Sequence, residues 1–369
     1  MKFIVKKEIL MESLNNTARA ISTKNLIPIL TGIKFELKKE GLYLYASDTD
    51  VSIRTFISAD KLTCIEEGSI VIGGKYIVEI VKKLPNTDIT MEVIDGYKLI
   101  ISTDNTEFNL NGINPNEFPN LDLDETKEPI VIHNNVFKDI VNQTVFATSQ
   151  NESRPLLTGI NFRIINGELE VLATDSYRLA RKLVTIDKEG DSDINIVIPG
   201  KNLLELVKMI DDNGTIEMHL FSNKILFKYE NMIFLSRLLS GTYPTTSSII
   251  PNSFNIELEC NFSDLFNMID RASLLTSDRE KNTIKLSLDK NKLMISSNSP
   301  EIGKVEEKIE VISDKKIDIS FSAKFMLDAI KSFNQDKILI CMNNDSSPIV
   351  IKSQKDPSLI QLVLPIKTS

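Results

Sequence analysis

The chain carries one sequence pattern three times, and this repeat limits its possible folds more than any other feature. Residues 30–35 read Leu-Thr-Gly-Ile-Lys-Phe and residues 157–162 read Leu-Thr-Gly-Ile-Asn-Phe, at an offset of 127 residues. The same offset aligns further residues without a gap: Pro28 with Pro155, Ala46-Ser47-Asp48 with Ala173-Thr174-Asp175, and Arg54 with Arg181. A fainter third copy lies 124 residues further on, where Ile284, Leu286, Leu293 and Ile295 align with Ile160, Phe162, Leu169 and Val171. The chain is therefore expected to contain three domains of one fold.

A second repeated block predicts an amphipathic helix in each copy. Its apolar residues recur at i, i+3, i+4 and i+7, which is the spacing of one helix face. They are Ile77, Ile80, Val81 and Leu84, then Leu203, Leu206, Val207 and Ile210, then Met326, Ala329, Ile330 and Phe333. An earlier helix in each copy is expected to begin near Lys7, Asn135 and Ser263, and strands with period-two alternation follow each helix.

These elements predict an α+β fold of three tandem repeats, each with two helices packed on a sheet. The repeat ends are marked by Phe118-Pro119 and Tyr243-Pro244. They place the domains at residues 1–126, 127–252 and 253–369, each of a normal domain length. The polar stretch 124–129 is expected to be a solvated linker.

The composition excludes several classes of protein. Hydrophobic residues make up 42% and charged residues 25% of the 369, which is typical of a globular protein. No apolar run approaches the roughly 20 residues that cross a bilayer, and the charged residues among the first ten argue against a signal peptide. Cys64, Cys260 and Cys341 are far apart, so neither disulfides nor a zinc site is expected. We expect a cytoplasmic protein without a cofactor or metal.

A line of lysines lies opposite the predicted apolar stripe of the second helix. On a helical wheel of about 100° per residue, Lys75 and Lys82 fall on one line, away from the apolar face. The repeat offsets carry this pair onto Lys201 and Lys208 and onto Lys324 and Lys331, with Glu79, Glu205 and Asp328 between them. One interpretation is a solvated face with weak ion pairs. However, three copies on a chain with a net charge of −8 indicate that positive charge is concentrated on one class of surface.

Six short motifs occur in a fixed order along the whole chain. They are Met1-Lys2-Phe3; Ile27-Pro28-Ile29-Leu30; Phe118-Pro119-Asn120-Leu121; Ala173-Thr174-Asp175 with Tyr177-Arg178-Leu179; Gly241-Thr242-Tyr243-Pro244; and Leu364-Pro365-Ile366. In their order, spacing and threefold repeat, they resemble the beta sliding clamp family, the processivity subunits of bacterial replicative DNA polymerases.

The resemblance implies a head-to-tail homodimer whose six domains close into a ring around duplex DNA, with helices lining the hole. The binding would not depend on the DNA sequence. The implied DNA-facing residues are Arg19, Lys24, Lys75, Lys82, Lys201, Lys208, Lys324 and Lys331. The implied dimer interface contains Phe108, Leu110, Leu274 and Leu275. The alternative for these four is that they are core residues of their own domains.

The resemblance also implies an apolar pocket, between the second and third domains, for short peptides of partner proteins. The partners would be the replicative polymerase, the clamp loader and other proteins that carry a short clamp-binding motif. The matching positions are Arg154, Leu157, Thr174, Tyr177, Leu179, Pro244, Ile249, Pro348, Leu362, Leu364 and Ile366. Without the resemblance, the C-terminal Leu-Val-Leu-Pro-Ile would simply predict an edge strand.

An enzyme is the main alternative class. Asp48 and Asp175 could pass for catalytic carboxylates, but they are related by the repeat and fit strand-end turns better. Gly73-Gly74-Lys75 lacks the spacing of a phosphate-binding loop, and His133 and His219 have no carboxylate or cysteine at metal-ligand spacing in the sequence. A structural or scaffold ring without DNA binding is a further alternative. We therefore predict a DNA sliding clamp without catalytic residues or metal ligands.

Overall fold

The computed structural model describes residues 1–21, 27–126, 128–165, 167–186, 194–246, 248–277 and 281–367. Each of the six helices in these ranges begins directly after a strand, within one residue of where the sequence predicts. The helices are α1 (Lys7–Thr17), α2 (Gly74–Lys83), α3 (Asn134–Thr144), α4 (Gly200–Val207), α5 (Phe262–Ser273) and α6 (Ala323–Lys331).

The strands fall into three successive groups that follow the sequence repeats. The first group is β1 (Lys2–Lys6), β2 (Gly32–Lys38), β3 (Gly41–Ser47), β4 (Val51–Ser58), β5 (Leu62–Glu66), β6 (Gly68–Gly73), β7 (Asp88–Ile94), β8 (Lys98–Thr103) and β9 (Thr106–Asn111). The second is β10 (Ile130–His133), β11 (Gly159–Ile165), β12 (Glu168–Thr174), β13 (Arg178–Thr185), β14 (Ile194–Pro199), β15 (Thr215–Leu220), β16 (Lys224–Tyr229) and β17 (Met232–Arg237). The third is β18 (Ile256–Asn261), β19 (Thr283–Asp289), β20 (Lys292–Ser299), β21 (Gly303–Glu310), β22 (Lys316–Ser322), β23 (Lys337–Met342), β24 (Ile349–Lys352) and β25 (Leu359–Val363).

The described strands form four antiparallel sheets, and two of the sheets combine strands from successive repeats. Their orders are β5-β1-β7-β8-β9, β10-β15-β16-β17-β4-β3-β2-β6, β14-β11-β12-β13-β25-β24-β23-β18 and β21-β20-β19-β22. In the first eight-stranded sheet, β4 pairs with β17 and sets Ser52 opposite Leu235. In the second, β13 pairs with β25 and sets Leu179 opposite Leu362. The hydrogen-bonded ladders therefore run without a break from one repeat into the next.

The chain contains two compact units, which follow the sheets rather than the repeats. Unit 1 comprises residues 1–135 and 205–238, and unit 2 comprises residues 136–204 and 239–369. The middle repeat thus contributes to both units, because its strands enter both eight-stranded sheets. The three predicted domains, 1–126, 127–252 and 253–369, describe the sequence repeats and remain a prediction.

Each unit buries the apolar faces that the sequence patterns predict. In unit 1, Leu10 and Leu14 of α1 and Ile77 and Val81 of α2 are buried. In unit 2, α5 and α6 pack together on one sheet face, and the Ser322 hydroxyl accepts a hydrogen bond from the Phe325 N–H at the start of α6. Strand β23 is buried on both faces, since alternate residues enter two different apolar clusters. In the described ranges, every helix is too short or too polar to cross a membrane.

Candidate functional sites

The first lysine of each repeated pair is exposed and has no carboxylate partner among the residues that the structure describes. Lys75, Lys201 and Lys324 occupy the second position of α2, α4 and α6. Across the described part of the chain, none of the three lies within salt-bridge distance of a carboxylate. The helix dipole disfavours a cation at a helix N-terminus and favours an anion there. The same unfavourable placement, made three times, indicates positions suited to an anionic ligand.

The second lysine of each pair has a close neighbour, which is a carboxylate for Lys82 and Lys208 and an aromatic ring for Lys331. Lys82 Nζ lies 3.9 Å from Glu79 and Lys208 Nζ lies 2.6 Å from Glu205, whereas Lys331 Nζ lies 5.2 Å from the centre of the Phe266 ring. The prediction that Lys208 lies within the helix is wrong, since α4 ends at Val207. There the Met209 N–H donates to the Leu206 carbonyl oxygen at 2.9 Å, a tightened final turn that places Lys208 just beyond the helix.

Arg19 forms an ion pair with Glu205, the acidic residue between Lys201 and Lys208. Its guanidinium lies 2.8 Å from Glu205, which also accepts a hydrogen bond from Lys208. Burial raises the pKa of the Glu205 carboxyl, but the hydrogen bonds from Lys208 and Arg19 outweigh burial and hold the pKa below its ordinary value. The predicted DNA-facing Lys24 lies outside the described residues.

Asp328, the acidic residue between Lys324 and Lys331, has a partner that the helical pattern does not show. Asp328 lies 2.6 Å from Arg178, which also bonds Asp175 at 3.0 Å. The same guanidinium lies 4.4 Å from the centre of the Phe325 ring. Asp328 therefore joins α6 to the turn before β13 and leaves the neighbouring lysines without its charge.

In unit 2, an apolar cluster gathers four of the predicted pocket residues on the sheet face opposite α5 and α6. The cluster contains Leu157, Leu179 and Leu362 as buried members, with Leu364 packed against it. The strand register explains the gathering, because Thr174 lies opposite Leu179, and Leu179 opposite Leu362, in one row across β12, β13 and β25. Leu364 continues beyond β25, where its N–H donates to the Tyr177 carbonyl oxygen at 2.9 Å. We call this cluster and its rim the peptide groove.

The rim of the peptide groove carries exposed residues that the sequence predicts for the pocket. Tyr177 is 62% exposed and its ring stacks on Phe325, and Ile249 is 41% exposed. Arg154 donates from Nη1 to the Ser176 hydroxyl at 3.2 Å, and Pro348 lies half-buried at the start of β24.

Two predicted pocket residues are not members of the cluster. Pro244 lines a neighbouring cavity of about 490 Å³ together with Arg163 and Arg181. Ile366 lines another, of about 470 Å³, with Lys285 and Asp318, and its N–H donates to the Ser320 carbonyl oxygen at 2.7 Å.

Tyr243 is a groove residue that the sequence prediction missed. Its buried hydroxyl accepts a hydrogen bond from the Thr174 N–H at 3.1 Å, and burial raises the pKa of this hydroxyl well above its ordinary value. The signal was present in the sequence, since the aromatic-proline pairs Phe118-Pro119 and Tyr243-Pro244 occupy the same place in two repeats. The pattern indicated the end of a repeat, but it did not indicate that the Tyr243 ring packs into the groove cluster.

The four predicted interface residues lie at the surface and near sheet edges. Phe108 and Leu110 belong to β9, an edge strand, and Phe108 is 36% exposed. Leu274 follows α5 and is 75% exposed, and Leu275 is half-buried. Arg271 connects the end of α5 to Glu307 on the edge strand β21 at 2.6 Å. Core packing therefore does not account for Phe108 or Leu274.

The candidate catalytic carboxylates are turn residues, as the sequence predicts. Asp48 accepts hydrogen bonds from the backbone N–H groups of Asp50 and Val51, and Asp175 accepts them from Tyr177 and Arg178. Both therefore close the same turn in two repeats.

The fold places two carboxylates beside His219, which the sequence spacing did not indicate. Oxygen atoms of Glu125 and Glu217 and a ring nitrogen of His219 lie within 4.8 Å of one another. However, Lys228 Nζ lies 2.7 Å from Glu125 and 3.8 Å from Glu217, so a lysine already supplies positive charge to this group. The arrangement is an ion-pair network.

Comparisons with known proteins agree along the whole chain. Models of the DNA polymerase III beta subunit match its N-terminal domain at residues 1–122, its central domain at 131–245 and its C-terminal domain at 247–367. The beta sliding clamp of Bacillus subtilis is 41% identical, and that of Staphylococcus aureus 37% identical, each over all of both chains.

Solved structures give the same result. The crystal structure of the DNA polymerase sliding clamp from Bacillus subtilis covers all of both chains with a TM-score of 0.97 and 40% identity. That of the beta subunit from the DNA polymerase of Streptococcus pyogenes covers all of both chains with a TM-score of 0.95 and 30% identity. The chain therefore belongs to the DNA polymerase III beta subunit family, the beta sliding clamps.

Proposed function

We propose that the protein is a sliding clamp that encircles duplex DNA in the cytoplasm and tethers the replicative polymerase to it without catalysing a reaction itself. The observation that carries the proposal is the set of Lys75, Lys201 and Lys324, one in each repeat, each exposed and unpaired within the described residues. Three similar cationic positions suit a ligand whose charge repeats along its length, as the phosphates of DNA do.

Weak attraction, not tight binding, is the expected mode of DNA contact. The second lysines have acidic or aromatic neighbours, and Glu205 also pairs with Arg19. Few phosphates would thus be neutralised, and contacts to phosphates carry no sequence information. Open-ended DNA would bind at about 10⁻⁴–10⁻⁶ M at physiological salt. Retention on DNA would come from the closed ring.

A head-to-tail homodimer would close that ring. The exposed residue Phe108 lies on the edge strand β9, and the exposed Leu274 lies directly after α5. An edge strand offers unpaired backbone groups to another chain. A head-to-tail contact that closes on itself gives a ring of defined size instead of a filament. Six similar domains would then surround the DNA.

The peptide groove would hold the clamp-binding motifs of the polymerase, the clamp loader and other partners. Its floor of Leu179, Leu362 and neighbouring leucines suits two or three Leu or Phe side chains of an extended peptide. Burying them contributes roughly 5–8 kcal/mol before the costs of association. Ordering the peptide opposes this gain, so the net binding free energy is weaker than about −8 kcal/mol and the dissociation constant is expected to be about 1 μM or higher.

A topological release experiment tests the function. The full-length protein is loaded onto a nicked circular plasmid by a clamp loader with ATP, and the complex is separated from free protein by gel filtration. We expect it to remain on the circle and to leave once a restriction enzyme makes the DNA linear. Protein that stays equally on linear DNA, or that is never retained on the circle, would contradict the proposal.

A further inference from the structure

The sheet face that carries the peptide groove in unit 2 has a counterpart in unit 1. The offset of 127 residues relates Ser52 to Leu179, and the strand registers set Leu235 opposite Ser52 and Leu362 opposite Leu179. One strand further along, Leu226 lies opposite Leu235 as Val350 lies opposite Leu362. The two faces are therefore built on the same plan, position by position.

In unit 1, the chain itself covers this face. We call residues 118–125 the linker strap. Leu123 is buried against Leu226, Ile233 and Leu235, and Leu121 packs on the same cluster. Phe118 fills the adjoining cluster around Leu30 and Val71. A segment with two leucines separated by one residue thus occupies this face, and it bends at Asp122, where the Leu123 N–H donates to the Leu121 carbonyl oxygen at 3.0 Å.

Charged groups hold the linker strap between its two leucines, at Asp122, and after them, at Glu125. Lys224, only 8% exposed, donates to the Asp122 carbonyl oxygen at 2.8 Å and lies 2.5 Å from the Asp122 carboxylate. Glu125 lies 2.7 Å from Lys228 and 3.6 Å from Arg54. The strap is therefore bound by apolar burial and by ion pairs, as a peptide ligand would be.

The corresponding segment of unit 2 lacks the two leucines, and the lysine that anchors the strap has no counterpart there. At the offset of 125 that aligns Phe118-Pro119 with Tyr243-Pro244, Leu121 and Leu123 align with Thr246 and Ser248. The strand registers align Lys224 with Pro348, so the basic anchor is replaced as well. Two leucines and a lysine in unit 1 thus become two hydroxyl residues and a proline in unit 2, where Tyr243 and Ile250 of the same segment pack on the cluster instead.

We propose that the linker strap is a built-in peptide ligand that closes the unit 1 counterpart of the peptide groove. The inference rests on the proposed function, since it gives a reason why partner peptides would use the groove of unit 2 and not its counterpart in unit 1. It also assigns the closed groove a ligand class, a peptide with leucines at alternate positions and an acidic residue between them.

Hydrogen–deuterium exchange of the full-length chain tests this proposal. The opened variant Leu121→Thr/Leu123→Ser gives the strap the residues of its unit 2 counterpart. The probe is a synthetic peptide of residues 118–125, Phe-Pro-Asn-Leu-Asp-Leu-Asp-Glu, and the control peptide has serine at both leucines. With the probe at ten times its dissociation constant, we expect about tenfold slower exchange in β16 and β17 of the opened variant. The wild-type chain and the control peptide are expected to show no such change.

Each outcome decides the question. Slower exchange in β16 and β17 of the opened variant alone supports the proposal. Equal slowing in the wild type, or none in the opened variant, overturns it. If circular dichroism shows that the double variant is unfolded, the milder Leu121→Ala variant, whose side chain is only partly buried, decides under the same criteria. Exchange in β24 and β25 reports separately on the peptide groove of unit 2. If the probe does not slow exchange in these two strands, the result contradicts the proposed function and not this inference.

Discussion

In the first two repeats, the second lysine of the pair has a carboxylate neighbour and the first has none within the described residues, and we expect this difference at the residue scale to moderate DNA binding. Lys75 is unpaired within the described residues, whereas Lys82, two turns further along the same helix face, has Glu79 nearby. Under the proposed function, the first lysines would attract DNA, and the carboxylates beside Lys82 and Lys208 would limit this attraction. A ring that must move along DNA requires such moderate attraction, since each neutralised phosphate steepens the dependence on salt.

Reversing the three free lysines should weaken DNA binding. The triple variant Lys75→Glu/Lys201→Glu/Lys324→Glu is expected to bind duplex DNA more weakly, with the salt slope reduced by roughly 0.9 for each phosphate that the variant no longer neutralises. Fluorescence anisotropy at several salt concentrations measures both quantities. The matched control, Lys39→Glu/Lys290→Glu/Lys355→Glu, makes the same change of charge at exposed turns. Equal weakening by the two variants would show that only total charge matters and not the helix positions.

The buried cysteines should resist alkylation. Burial raises the pKa of Cys260 and of Cys341 to about 12. At pH 8, well below that value, about one in ten thousand of these thiols is the reactive thiolate. Cys64 is partly exposed. Mass spectrometry after iodoacetamide treatment of the folded protein is expected to find label on Cys64 alone, and label on all three only after unfolding. Native labelling of Cys260 at the rate of Cys64 would contradict its burial.

At the scale of the elements, the sequence predicts what is periodic and misses what is long-range. The apolar stripe beginning at Ile77 located α2 and its copies, because burial of one helix face imposes the 3.6-residue period. The end of α4 before Lys208 depends on one tightened turn that no period encodes.

Long-range contacts within the units show the same limit. The partner of Asp328 is Arg178, 150 residues earlier, and only the folded sheet brings the two together. The described residues 124–126 and 128–129 are largely exposed, as predicted for a solvated linker, but Glu125 is held by Lys228 and Arg54. For the peptide groove, the leucines follow from strand alternation, whereas the position of Tyr243 required the tertiary structure.

Removing the segment after β25 should abolish peptide capture. Deletion of residues 364–369 removes Leu364, which packs against the groove cluster and bonds to Tyr177. We expect no measurable binding of a labelled peptide of the Gln-Leu-x-Leu-Phe type by fluorescence anisotropy, with the fold retained by circular dichroism. Deletion of residues 368–369 alone is the control and should bind normally. If the longer deletion binds as well as the full chain, the peptide site lies elsewhere.

For the molecule as a whole, the sheets indicate how two chains would join into the proposed ring. Two eight-stranded sheets continue from one repeat into the next through β4–β17 and β13–β25. The five-stranded and four-stranded sheets end instead at the edge strands β9 and β21. A second chain that continued these two sheets would extend the pattern already seen twice within the chain, and closure would remove the exposed edges.

The dimer should dissociate when the apolar residues beside these edges are truncated. Leu274 and Leu275 are expected to contribute about 1.5–3 kcal/mol per side chain when buried by a partner, and a two-chain ring has two such interfaces, so the loss is doubled. The variant Leu274→Ala/Leu275→Ala should therefore sediment as a folded monomer at concentrations where the wild type is a dimer. Ile312→Ala removes another highly exposed apolar side chain of unit 2 and should leave the dimer intact. An intact dimer of the double variant would count against this interface. Unfolding of the variant in circular dichroism would also count against it, because exposed residues of a protomer can be truncated without loss of its core.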